Sequence, residues 1–125
     1  MVLVDTSVWI RFLAGREPYA RALDQLLAND RVMSHELVHG ELLIGDPGGR
    51  AKLLAGFEEI HRARTIRHPE VVELVRTRKL HGRGIGWVDA HLLASTLVER
   101  GQLWTADVSL ADVATELRIA YVPTR

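Results

Sequence analysis

Two acidic residues follow short apolar segments that we interpret as buried strands. Asp5 comes directly after Val2–Val4, and Asp107 lies three residues beyond Leu103–Trp104. In an open α/β sheet, functional groups collect at the carboxyl ends of the strands, so both carboxylates occupy positions where chemistry is usually performed. We therefore expect Asp5 and Asp107 to belong to one site.

Each of these acids also has a structural explanation. Asp at a strand-to-helix junction commonly accepts a hydrogen bond from a backbone N–H group in the first turn of the helix. For Asp107 a second pattern competes, because Ser109 followed three residues later by Asp112 resembles a capping box. That pattern predicts that Ser109 caps the helix, that Asp112 is structural and that Asp107 is left for another role.

Two further acids lie in segments with helical spacing. The neighbours of Glu41 predict a position on or beside a buried face, and they are Leu37, Val38, Leu42 and Ile44. A carboxylate in apolar surroundings needs a partner or takes up a proton, unless it lies at an edge that reaches solvent or an arginine. Asp89 falls in the first turn of a helix that begins near Trp87, where the helix dipole also favours an acid.

Together, these four carboxylates indicate a site for a hard divalent cation. Mg²⁺ prefers oxygen ligands in octahedral geometry and retains several waters. Clustered carboxylates without a cation repel one another and raise each other's pKa. The predicted catalytic and metal-binding residues are Asp5, Glu41, Asp89 and Asp107.

The elements that must position these acids alternate between strand and helix. Apolar runs too short for helices predict strands at Val2–Val4, Val32–Met33, Leu103–Trp104 and Ile119–Val122. Helical spacing predicts helices around Leu23, Leu37, Val71 and Leu92, with a turn at Asp46–Gly49. We therefore expect an α/β fold, a three-layer sandwich in which helices flank a central, mostly parallel sheet.

Composition limits the classes of protein that fit. The 125 residues predict one domain, and 16 basic residues balance 16 acidic residues, so no global charge attracts nucleic acid or membrane. Cysteine is absent, and the chain opens without a signal-like or membrane-spanning apolar run, which predicts a cytoplasmic protein.

A local basic segment lies between Arg62 and Arg83, with seven basic residues against two acids. Arg76, Lys79 and Arg83 follow a helix-like spacing and lead into a glycine-rich loop before Asp89. They are predicted to follow an RNA backbone towards the acids, although a solvated helix face explains the same pattern.

A competing motif is His35-Glu36-Leu37-Val38-His39, an H-E-x-x-H sequence in which two histidines bind zinc and the glutamate activates water. Its extended form requires a glycine at Leu42 and a histidine at Gly45, and neither is present. The only candidate for a third zinc ligand is Glu59, and its position fits the motif only loosely. A zinc peptidase is therefore the weaker alternative.

The order of these motifs resembles the PIN-domain nucleases, and among them the VapC-type toxins of bacterial toxin–antitoxin pairs. The resemblance is carried by Val4-Asp5-Thr6-Ser7, Glu41-Leu42-Leu43-Ile44-Gly45, Trp87-Val88-Asp89-Ala90-His91-Leu92-Leu93-Ala94 and Thr105-Ala106-Asp107. It implies an endoribonuclease dependent on Mg²⁺ or Mn²⁺, with an antitoxin partner and a second toxin copy as a homodimer.

The same resemblance implies roles for individual residues. Thr6 or Thr105 would orient carboxylates or metal-bound water. The pattern Glu-Leu-x-x-Gly fits both Glu36 and Glu41, and we choose Glu41 because the acid of the family lies well inside its helix. Glu36 falls in the first turn, where the dipole already favours it.

A protein of a different class, a binding module without catalysis, is also compatible with the sequence. In that case, the acidic side chains would bind a basic partner. The first helix offers Val8, Trp9, Phe12 and Leu13 as an apolar surface, which is either core or a docking face.

Overall fold

The computed structural model describes residues 1–124, in which strands and helices alternate as the sequence predicts. The strands are β1 (Val2–Val4), β2 (Val32–Met33) and β3 (Gln102–Trp104). The helices are α1 (Thr6–Leu13), α2 (Tyr19–Ala28), α3 (Glu36–Ile44), α4 (Ala51–Glu58), α5 (His68–Thr77), α6 (Trp87–Glu99) and α7 (Val108–Glu116).

The three strands form a parallel sheet in the order β2-β1-β3, with β1 at the centre. Val2, Leu3 and Val4 of β1 are all fully buried. Because successive side chains of a strand point to opposite faces, this burial means that both faces of the sheet are covered. The predicted parallel α/β architecture is therefore confirmed.

One predicted detail of the fold is wrong, and one helix was missed. The strand expected at Ile119–Val122 is reduced to one bridge between Leu103 and Ala120, because only two backbone hydrogen bonds join this segment to β3, and Val122 is exposed. Helix α4 was not predicted. Its eight residues include Gly56, a poor helix former, so its helical pattern is short and weak.

Short connections position the predicted acids. Asp5 lies between β1 and α1, and Asp107 lies between β3 and α7. Val4 of β1 is paired in register with Trp104 of β3, and the Asp5 backbone N–H donates to the Trp104 carbonyl at 3.1 Å. The residues that follow these two strands are thereby held side by side at one edge of the sheet.

At the opposite edge of the sheet, Gly101 packs closely against Met1 and Met33, and this contact gives a stability prediction. A Cβ atom placed on Gly101 would lie 2.8 Å from the Met1 carbonyl oxygen and 2.7 Å from Cε of Met33. We expect Gly101→Ala to destabilise the protein by about 1–3 kcal/mol, because backbone must move to accommodate the methyl group. Urea unfolding measures the change, with Gly40→Ala as the control, since its Cβ would meet no atom within 4 Å. Equal stability of Gly101→Ala and wild type would contradict the packing described for this edge.

Candidate active site

Asp5 is the most buried acid of the site, with 5% of its surface exposed. Its Oδ1 atom accepts hydrogen bonds from the Ser7 hydroxyl at 2.6 Å and from the Val8 backbone N–H at 3.1 Å, which caps α1. Burial raises the pKa of Asp5, while hydrogen bonds from Ser7, Thr105 and Val8 lower it and the charge of Asp89 raises it further. The carboxyl group is thus fixed by one oxygen and lies near a second acid.

Ser7 connects the two strand ends, a role that the sequence analysis missed. Besides its bond to Asp5, its hydroxyl oxygen accepts the Ala106 backbone N–H at 2.9 Å and lies 3.4 Å from the Thr105 hydroxyl. Thr105 Oγ1 in turn accepts the Asp107 backbone N–H at 3.0 Å. The signal available in the sequence was only the position of Ser7 two residues after Asp5.

Asp107 caps α7 through its own side chain, which corrects the prediction based on Ser109 and Asp112. Its Oδ1 atom accepts the Leu110 backbone N–H at 3.0 Å. The helix begins at Val108, two residues earlier than a Ser109 cap allows, because Asp107 has the extended backbone that an N-cap requires. Capping uses one carboxyl oxygen, so it leaves the other oxygen of Asp107 for a ligand.

Asp89 occupies the third position of α6, where its Oδ2 atom accepts the Gly86 backbone N–H at 3.0 Å. Burial raises the pKa of Asp89, the bond to Gly86 lowers it, and the charges of Asp107 and Glu41 raise it. Asp89 therefore experiences the field of two other predicted acids and itself acts on Asp5. Asp89 therefore interacts electrostatically with each of the other three predicted acids.

Glu41 reaches this group through Thr6, whose hydroxyl donates to Glu41 Oε1 at 2.5 Å. Glu41 lies beside the buried face of α3, formed by Val38 and Leu42, and not on it, because its side chain is exposed. Ile44, which was expected on that face, is 90% exposed. Thr6 thus orients Glu41 rather than Asp5.

The position of Glu36 supports the choice of register. Its charge acts on the histidines His35 and His91, whereas that of Glu41 acts on Asp89.

The four acids share one region without forming a finished chelate. Within residues 1–124, no three histidine or acidic side chains are already placed as a metal-binding group. In three of these acids a backbone N–H group donates to one carboxyl oxygen, namely Oδ1 of Asp5, Oδ2 of Asp89 and Oδ1 of Asp107. The other oxygen of each of these carboxyl groups accepts no backbone N–H. Such oxygens suit Mg²⁺, which binds a few carboxylates directly and reaches others through its waters.

Comparison with known proteins shows the family of this chain. The profile of the PIN domain matches residues 2–116. This chain belongs to the PIN-domain family. It is also 41% identical to ribonuclease VapC32 of Mycobacterium tuberculosis, in the sequences from strains CDC 1551 and H37Rv, over 121 residues that cover 96% of this chain and 95% of the relative.

In this PIN domain the H-E-x-x-H histidines are engaged elsewhere. His35 is fully buried, and its Nδ1 atom accepts the Leu37 backbone N–H at 3.1 Å. Its Nε2 atom lies 3.0 Å from the hydroxyl of Ser95, which donates its proton to the Arg64 carbonyl. His39 stacks on Phe57 and pairs with Glu58 at 3.1 Å. His35 thus has no ring nitrogen available for zinc, which removes the basis of the peptidase alternative.

The basic residues of the PIN domain do not form the predicted helical row. Arg76 lies in the last turn of α5, but the helix ends at Thr77, so Lys79 and Arg83 lie beyond it. Arg76 and Lys79 are exposed. Arg83 makes two bonds to Glu116 of α7, at 2.8 and 2.7 Å, which join the glycine-rich loop to that helix.

The apolar residues of α1 divide between core and surface. Val8 and Trp9 are buried, and Trp9 packs edge-on against Phe12 and Phe57, so this part of the predicted docking face is core. Ile10 remains exposed. Among the described residues, no helix has both the length and the apolar character needed to cross a membrane.

The Ser7 bridge gives a second stability prediction. We expect Ser7→Ala to destabilise the PIN domain by about 1–3 kcal/mol, because it removes the bond to Asp5 and leaves the Ala106 N–H without its acceptor. Chemical denaturation measures the loss. Ser109→Ala is the matched control and should stay within about 0.5 kcal/mol of wild type, since Asp107 rather than Ser109 caps α7. A larger loss in Ser109→Ala than in Ser7→Ala would refute this assignment of the two serines.

Proposed function

We propose that this protein is a metal-dependent endoribonuclease and the toxin component of a toxin–antitoxin pair. Its likeness to ribonuclease VapC32 over 96% of the chain supports the substrate class. The observation that carries the proposal is that the Ser7 hydroxyl joins the strand ends bearing Asp5 and Asp107, while the neighbouring Thr6 holds Glu41. The charge of Asp89 acts on Asp5, and the charges of Asp107 and Glu41 act on Asp89. These acids come from four separate segments of the chain, and capping alone gives no reason for them to meet.

The proposed metal is Mg²⁺ or Mn²⁺, held by Asp5, Glu41, Asp89 and Asp107. When bound, such an ion lowers the pKa of water and neutralises charge on a phosphodiester. The protein holds the carboxylates in place for this chemistry: Ser7 and Val8 fix Asp5, Gly86 fixes Asp89, and Thr6 fixes Glu41. Thr105 contributes by holding the backbone of Asp107.

RNA binding by Arg76 and Lys79 is part of this proposal. Both side chains are exposed and precede the loop that leads to Asp89. Arg83, which is tied to Glu116, positions that loop and retains N–H groups for a phosphate. Because the chain has no net charge, this local segment must supply the attraction for the RNA backbone.

The proposed partners are an antitoxin and a second copy of the chain. Exposed apolar side chains lie on α1 and α3, two helices that contact each other, and they are Ile10, Leu43 and Ile44. A patch of this kind on a small protein favours a protein partner. We place this pair in the cytoplasm, with its RNA substrate.

One experiment tests catalysis and substrate together. Total cellular RNA is incubated with the wild-type protein or with Asp5→Asn in Mg²⁺, and the new RNA ends are mapped. We expect discrete cuts with the wild type that disappear with Asp5→Asn and on chelation of the metal. Cuts of the same position and yield in both proteins would refute the proposal. Binding of a basic protein without any cleavage would instead favour a non-catalytic module.

A further inference from the structure

A cavity of about 220 Å³ lies beside the acidic site, where β3 meets the segment that follows α7. Its walls include the rings of Tyr19, Trp104 and Tyr121, and the side chains of Thr105, Ala111 and Thr115. The cavity is therefore built from planar aromatic groups with hydroxyl groups among them.

The rings have an arrangement suited to a flat ligand. The ring of Tyr19 lies within 20° of parallel to that of Trp104, with the centroids 6.0 Å apart, and Tyr121 is tilted against Trp104 at 5.4 Å. Trp104 is 2% exposed and fixed in the core, whereas the two tyrosines are half-buried. Among residues 1–124, neither tyrosine hydroxyl forms a hydrogen bond with another protein group. Tyr19 already stacks on Trp104 and lies near Arg11, so Tyr121 provides the stacking surface for a ligand, and both tyrosines provide polar edges.

Thr105 is shared between the cavity wall and the surroundings of Asp5. Thr105 lines the cavity, and its hydroxyl lies 3.4 Å from that of Ser7, which holds Asp5. Arg11 lies on the same side, with its guanidinium 5.6 Å from the centre of the Tyr19 ring and one N–H donated to the Ser7 carbonyl at 2.9 Å. A positive charge therefore lies close both to the Tyr19 ring and to the backbone of Ser7.

We propose that this cavity binds one base of single-stranded RNA, next to the phosphodiester that the acids cut. This inference rests on the proposed function. Unpaired bases are recognised by stacking on aromatic side chains and by hydrogen bonds to their edges, and the tyrosines supply both. Arg11 is placed to attract the phosphate that connects this base to the acidic site. An apolar peptide would form no polar interaction with the tyrosine hydroxyl groups or with the guanidinium of Arg11.

The proposal makes Tyr121 a residue that determines where RNA is cut. Removal of one base–aromatic stack is expected to weaken binding by about 5- to 150-fold. Because Tyr121 lies outside the acidic cluster, the loss should appear in KM and in the base preference at one position beside the cut. The value of kcat at saturating RNA should change little.

The test compares four variants on an RNA library with a randomised segment, with cut sites sequenced and kcat and KM measured on the preferred site. Tyr121→Ala removes the stack and Tyr121→Phe keeps it. Ala111→Leu fills the cavity from α7 without removing a ring. Val98→Ala is the control, because Val98 is a half-exposed apolar residue at the far end of α6. Thermal unfolding of each protein verifies its fold.

We expect Tyr121→Ala and Ala111→Leu to raise KM at least fivefold and to lose the base preference. Tyr121→Phe keeps the stack and loses only a hydroxyl, so it should raise KM less than Tyr121→Ala, and Val98→Ala should retain the wild-type KM. Wild-type KM and cut profile in Ala111→Leu, with RNA still cleaved, would overturn the cavity's role and leave the proposed function intact. A wild-type KM and cut profile in a folded Tyr121→Ala protein would also overturn the cavity's role. Absence of RNA cleavage by the wild type would overturn both.

Discussion

Replacing Asp89 with asparagine is expected to lower kcat for RNA cleavage by about 1,000-fold. Stabilisation of charge by a bound cation contributes several kcal/mol, and each 1.36 kcal/mol corresponds to a factor of ten. Asparagine has nearly the shape of aspartate and keeps an oxygen for the Gly86 N–H, so the start of α6 should be preserved. The change removes the one charge that acts together with those of Asp5, Asp107 and Glu41.

A stability measurement on the same variant separates loss of chemistry from loss of fold. The pKa of Asp89 is raised by burial and by neighbouring acids, so its ionised form is disfavoured in the folded state. Without metal at pH 7, Asp89→Asn should therefore unfold at a temperature no lower than that of the wild type. Asp112→Asn, which changes an exposed acid of α7, is the control and should retain full activity. Equal activity of Asp89→Asn and wild type would remove Asp89 from the catalytic group.

A second large effect concerns the buried imidazole of His35. Burial lowers the pKa of His35 to about 4 from an ordinary value of 6.5. The unfolded chain therefore takes up a proton near pH 6.5 that the folded protein accepts only near pH 4, and stability falls as the pH is lowered through this window. The full difference corresponds to about 3 kcal/mol. Above pH 6.5 this contribution is complete and constant.

Urea unfolding between pH 8 and pH 4 measures this effect. Because carboxyl groups titrate in the same range, the relevant quantity is the difference in pH dependence between the wild type and His35→Gln. We expect His35→Gln to be less stable at pH 8, since it disrupts the bonds to Leu37 and Ser95, and to lose less stability on acidification. His81→Gln changes an exposed histidine and should follow the wild-type curve. Identical slopes for all three proteins would contradict a neutral, buried His35.

The strand ends were predictable because their signal is local. Val2–Val4 is a continuous apolar run, and Asp5 must follow it at the edge of the sheet. The helix cap at Asp107 was not predictable from spacing alone, since Ser109 with Asp112 fits an equally good pattern and only the backbone at Asp107 decides between them. Capping is compatible with the proposed metal binding, because the backbone N–H groups occupy only one oxygen of each capping carboxyl group.

Features that depend on contacts between distant segments of the chain could not be predicted from the sequence. Ile44 was expected to share a buried face with Leu42, on or beside which Glu41 would lie, but Ile44 faces solvent and the exposed side of α3 is partly apolar. The role of Ser7 depends on Ala106, a residue 99 positions later, and no local pattern predicts that bond. The aromatic cavity likewise combines residues from three distant segments.

Titration with Mn²⁺ tests the central claim most directly, because it measures the metal site without relying on a substrate. Isothermal calorimetry would compare the wild type with Glu41→Gln and Glu36→Gln, two changes of the same kind in the same helix, and with Asp89→Asn. We predict binding by the wild type and Glu36→Gln, weaker binding by Glu41→Gln, and the weakest binding by Asp89→Asn. Equal binding by all four proteins, or a loss in Glu36→Gln alone, would contradict the assignment of the acidic site.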